Sequence, residues 1–109
     1  MKLKMYIVIH ETVPLGLAVV AAAHASLATY LKFKDDSTVR DWLAGSFYKV
    51  IVRADAFAFE AAKQLPDSIV LTESSLGGRE VAIGFKPREE WPDLLRKLPL
   101  YKGPVEGGG

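Results

Sequence analysis

A chain of 109 residues, half of them hydrophobic and a quarter charged, has the length and composition of one globular domain. Fourteen Lys and Arg against thirteen Asp and Glu leave a formal charge of +1, which excludes a global basic field for nucleic acid and confines any such binding to a local patch. The lack of cysteine excludes disulfides and thiolate metal sites, and with no export signal read in the sequence the expected compartment is the cytoplasm.

Residues 3 to 10 read as a buried first strand and not as a signal peptide, because the apolar run is short and His10 and Glu11 end it. Thr12 is placed to cap a long helix whose opening turn tolerates Pro14 and which should run to about Lys34. Leu17, Val20, Ala21, His24, Ala28 and Leu31 recur at the three-and-four spacing of one helix face, which turns His24 toward something packed. The alanines at 18, 21, 22, 23, 25 and 28 add so little bulk that the helix can approach a sheet closely, so a central, buried helix is expected. Gly16, His24, Ser26 and Thr29 interrupt the apolar stretch from Val13 to Leu31, and no membrane span is expected.

After the polar break Asp35-Asp36-Ser37, Thr38 to Ala44 suits a short helix anchored by Trp42 and ended by Gly45. Phe47 to Arg53 is rich in aromatic and β-branched residues and reads as a second strand. Asp55 caps a third helix, in which Phe57 and Phe59 cannot share a face and which ends at Leu65 before Pro66. Ser68 to Thr72 and Arg79 to Phe85 form two more strands joined by a Gly-containing hairpin link. Pro87 to Leu98 reads as a last helix, started or broken by Pro92. Residues 1–102 thus make one three-layer α/β domain, a four-stranded mixed sheet with helices on both faces, and residues 103–109 a flexible Gly-rich tail.

This order of elements and two short strings carry a resemblance. Gly16-Leu17-Ala18-Val19-Val20-Ala21-Ala22-Ala23-His24-Ala25 aligns with a G-K-x-A-A-Q-x-x-H-A pattern at Gly16, His24 and Ala25, and Val81-Ala82-Ile83-Gly84 aligns with the close of T-V-L-x-I-G-P. Both belong to the family II peptidyl-tRNA hydrolases of the archaeal and eukaryotic type, which the chain resembles over roughly residues 3 to 101. Leu17 stands where the family has lysine and Ala21 where it has glutamine. His10-Glu11-Thr12 replaces R-x-D, and Glu73 is the carboxylate nearest to the family's D-A-G-x-T aspartate by position.

The resemblance implies a pocket near Gly16, His24 and the 73–79 loop, with His24 and Glu73 as catalytic candidates and Gly16, Leu17, Ala21, His10, Ser74 and Arg79 as ligand contacts. Hydrolysis of an acyl ester needs an oriented water, a proton acceptor and a cation or donors at the oxyanion. Leu17 supplies neither charge nor hydrogen bond, so the cation has to come from elsewhere, for example Arg79 or Lys49. The expected function is therefore a divergent protein of this type that binds or weakly hydrolyses an acyl-tRNA-like ester, pairs as a homodimer, and needs no cofactor or metal. The alternative is a non-catalytic small-molecule or protein-binding module on the same scaffold. A core histidine at position 24, a plain turn at Ser74-Ser75-Leu76-Gly77-Gly78 and a solvated helix in place of an RNA patch from Lys86, Arg88, Trp91, Arg96, Lys97, Tyr101 and Lys102 are the structural alternatives to these roles.

Overall fold

The strand predicted from KMYIVIH is β1, Lys4–His10, in a computed structural model that describes residues 2–105. Its five inner residues are buried on both faces, which the unbroken apolar run requires of a central strand. The sheet order is β2-β1-β4-β3, with β2 spanning Tyr48–Ala54, β3 Ser68–Glu73 and β4 Arg79–Phe85. β1 runs parallel to β2 and antiparallel to β4, and β3 is antiparallel to β4, so the sheet is mixed as expected.

Alternation along β1 divides the core. Met5, Ile7 and Ile9 pack with helix α1, Leu15–Phe33, and helix α2, Ser37–Ala44. Tyr6 and Val8 point the other way, toward helix α3, Ala56–Lys63, and Leu95 of helix α4, Asp93–Arg96. Helices therefore cover both faces. Asp36 and Asp55 accept from the N–H groups of Thr38 and Ala58, both at 2.8 Å, and so cap α2 and α3.

The face that α1 buries differs from the expected one. Ala18, Ala21, Ala25 and Thr29 form the buried stripe, while Val20 and Leu31 are exposed together with Leu15, Val19 and Leu27. The cause is close approach: a Cβ on Gly84 of β4 would land on Thr29 Oγ1 and 3.1 Å from the Ala25 carbonyl oxygen, so only small side chains fit between helix and sheet. The expected central, buried helix is thus a layer with an apolar outer side. Among the described residues α1 is the one helix long and apolar enough to cross a membrane by length and composition, but its small-residue stripe lies on β4, β3 and β1.

Two other expectations are corrected. Thr12 does not cap α1, whose N-cap is Pro14 with no side-chain bond. The helix predicted over Pro87–Leu98 is reduced to Asp93–Arg96, because Arg88 exchanges both backbone hydrogen bonds with Lys4 at 3.1 Å and Pro92 sets an extended ψ of 152° at the cap. Of the segment expected to be a flexible tail, the start is tied down. Gly103 is buried and accepts from Arg53 at 3.2 Å, and Val105 N–H donates to the Glu11 carbonyl at 3.3 Å; residues 106–109, with the terminal glycines, lie outside the described residues.

Candidate functional site

The chain leaves β1 for α1 on one face of the sheet and leaves the parallel strand β2 for α3 on the other. Between such diverging connections, at the carboxyl ends of the strands, an open α/β sheet forms a crevice. His10 and Ala54 are the last pair in register there, and Glu11 N–H donates to the Ala54 carbonyl at 2.8 Å.

Three side chains converge on this end. His10 Nδ1 lies 2.9 Å from Thr12 Oγ1 and accepts the Thr12 backbone N–H at 3.3 Å, which leaves the neutral imidazole its proton on Nε2. Arg79 Nη2 donates to the same Thr12 oxygen. Because a guanidinium only donates, the hydroxyl hydrogen is free to go to His10 Nδ1, and the three groups form one directed chain from Arg79 through Thr12 to His10.

Arg79 reaches Thr12 through an irregularity in the sheet. Leu71 faces Ala82, but Thr72 faces Glu80, so Val81 is an extra residue on β4. This bulge reverses the alternation beyond it. Glu80 turns to α3, where its carboxylate accepts from Lys63 Nζ at 2.6 Å, and Arg79 turns to the mouth of α1.

The His10 ring packs against Phe59 of α3 with centroids 5.1 Å apart. Burial first, and then the Arg79 charge, hold its pKa below the ordinary 6.5, against raising contributions from Glu11, Asp55 and Glu60. A histidine with a folded pKa below its unfolded value gives stability that is fully present above about pH 6.5 and is lost as pH falls through the folded pKa. We therefore expect urea midpoints that fall between neutral pH and pH 5 by more in the native chain than in His10→Gln; equal slopes would contradict this.

His24 and Glu73, the second pair expected from the sequence, make no direct hydrogen bond or ion pair among the described residues. Glu73 ends β3 opposite Arg79, and its carboxylate accepts from the Ser75 N–H at 3.0 Å and the Ser75 hydroxyl at 2.8 Å. Those two bonds, with a further contribution from the charge of His24, hold Glu73 below the usual carboxylate range. His24 is exposed on α1, so it does not face a packed core.

The remaining candidates are dispersed by the fold. Gly16 and Ser74 are exposed, Leu17 is half-buried against the α1-side core, and Ala21 is 1 % exposed beneath the helix, where it packs and is not presented to a ligand. Ser74 opens a 3-10 turn, Ser74–Leu76, and Gly77 follows at φ 70° in the left-handed conformation. Lys49, the other candidate cation, lies elsewhere, over the Phe47 ring on the outer part of β2. Thr12 was missed as a site residue because its cap role accounted for it, and the bulge that delivers Arg79 leaves no mark in the alternation of Arg79 to Phe85.

The residues weighed as an RNA patch are largely engaged. Trp91 is buried against Tyr6 and Phe85, at 4.6 and 6.1 Å, and Lys86 bonds the Asp36 carboxylate at 3.1 Å. No cluster of three metal-ligating side chains occurs among the described residues. No protein-family model matches this sequence, and no curated protein matches it.

Proposed function

We propose that this chain is a divergent relative of the family II peptidyl-tRNA hydrolases that binds acyl esters at the carboxyl end of β1 and cleaves them slowly. The observation that carries the reading is Arg79 on the Thr12 hydroxyl, itself 2.9 Å from His10 Nδ1. Leu17 left the family's cation without a counterpart, and Arg79 supplies one within the same opening of α1. Its remaining N–H groups are suited to an ester carbonyl or the oxyanion that develops from it.

The neutral His10 is the proton acceptor in this reading. As the Thr12 hydroxyl attacks the carbonyl carbon, its proton passes to His10 Nδ1 and the imidazolium returns it to the leaving alkoxide; a water then attacks the acyl-Thr12 ester, gives its proton to the same nitrogen, and releases the acid as the Thr12 oxygen takes the proton back. Burial and the Arg79 charge, which lower the His10 pKa, weaken it as a base, which is why turnover is expected far below that of a competent family member. Glu73 and His24 flank the site and orient the polar end of the ligand.

Peptidyl-tRNA mixed with the purified protein, scored for cleavage and binding across a salt series, tests the proposal. Slow cleavage, weak binding that fades with salt, and loss of cleavage in Arg79→Gln and His10→Gln are expected. Cleavage that survives Arg79→Gln, or neither cleavage nor binding in the folded native chain, would contradict it. The reading as a non-catalytic module has one observation in its favour, an apolar groove on the far side of α1, which is a separate feature.

A further inference from the structure

A concave site lies between α1, α2 and the outer strand β2, away from the Arg79 end. It is an open groove of about 540 Å³, within the range of small-molecule pockets. Ala23 and Leu27 of α1, Trp42 and Leu43 of α2 and Ile51 of β2 give it apolar walls. Leu27 is 61 % exposed and Leu43 45 %, so the walls stand open to whatever enters.

Two features mark one end of the groove. Phe47 has φ 33°, a left-handed conformation that a bulky side chain adopts only under strain. Its ring lies at the groove, edge-on to Trp42 with centroids 6.1 Å apart. Lys49, two residues before Ile51 and so on the same face of β2, sets its ammonium 4.6 Å from the Phe47 centroid and 5.4 Å from that of Trp42. It is the only charged side chain lining the groove and makes no ion pair among the described residues.

The geometry points to an amphipathic carboxylate as the ligand, a straight acyl chain lying between α1 and α2 with its carboxylate on Lys49. An apolar trough alone would take any greasy body. A lone cation at one end, with no acid in the lining, selects a molecule with one negative head. The inference does not depend on the ester site, since none of its residues is shared.

Calorimetric titration of the native chain with octanoate, decanoate and dodecanoate below their micelle concentrations tests it. One site per chain is expected, with affinity rising about fourfold per buried methylene. Lys49→Gln should weaken dodecanoate by tenfold or more and leave 1-decanol unchanged. Ala23→Trp should fill the groove and abolish both, with circular dichroism and urea midpoint showing that the variant folds. Arg79→Gln should bind dodecanoate as the native chain does, which separates this site from the ester site. Absence of dodecanoate binding, a Lys49→Gln variant that binds it normally, uptake at several sites indifferent to Ala23→Trp, or a dimer that covers the groove and excludes dodecanoate would each overturn the proposal.

Discussion

Phe59→Ala is expected to remove about 3–5 kcal/mol of stability, a large part of the 5–15 kcal/mol typical of a domain. Phe59 is 2 % exposed and packs with Val8, Val52 and Ile83, so its loss leaves a cavity that strands on one side and α3 on the other cannot easily close. The same ring is one wall of the His10 environment, 5.1 Å away. Since burial is the first cause of the lowered His10 pKa, the variant should also let it rise toward 6.5. Urea unfolding and proton NMR of the imidazole read the two effects separately. Phe59→Leu, which retains more of the volume, should show less of both, and a Phe59→Ala loss below about 1 kcal/mol would contradict the packing described.

Gly84→Ala should cost about 3 kcal/mol, at the upper end for overpacking by one methyl group. The added Cβ meets the Thr29 hydroxyl and lies 3.1 Å from the Ala25 carbonyl oxygen, so α1 has to lift off β4 or the strand has to bend. The cost should shrink in a Thr29→Ala background, because the nearest obstacle is a side chain, but should not vanish, because the helix backbone remains. Urea midpoints of the two single variants and the double variant measure this coupling. Strict additivity would show that the close approach at Gly84 is not what sets the helix–sheet distance.

That distance explains what the sequence reveals and what it hides. The alternation of strands and helices, the Asp36 and Asp55 caps and the Gly45 stop are local signals, and the mixed sheet with helices on both faces follows from them. The burial of α1 is not local. The helix is apolar nearly all round, so periodicity cannot choose a face, and side-chain size decides instead: Ala18, Ala21, Ala25 and Thr29 fit against β4, and the leucines and valines turn outward. His24 followed the wrong stripe into an expected core for the same reason.

The site was legible in part. His10, His24, Glu73 and Arg79 could be selected as polar residues near strand ends and loops, and of these the fold links Arg79 to His10 through Thr12. Thr12 could not be selected, because a threonine before a helix reads first as a cap. The Val81 bulge, which arises from pairing between two strands, exists only once β3 and β4 are in register.

If Arg79, Thr12 and His10 act as one unit, the His10 ring must respond to changes at either partner, and nitrogen-15 NMR of that ring against pH reads the response. In the native chain we predict a neutral ring protonated on Nε2 at pH 7 and a pKa below 6.5. Arg79→Gln removes a positive charge that disfavours the imidazolium, so the pKa should move upward, and Thr12→Val should free Nδ1 from its hydroxyl partner and mix the two tautomers. A His10 pKa and tautomer indifferent to both substitutions would show that the three side chains are not coupled.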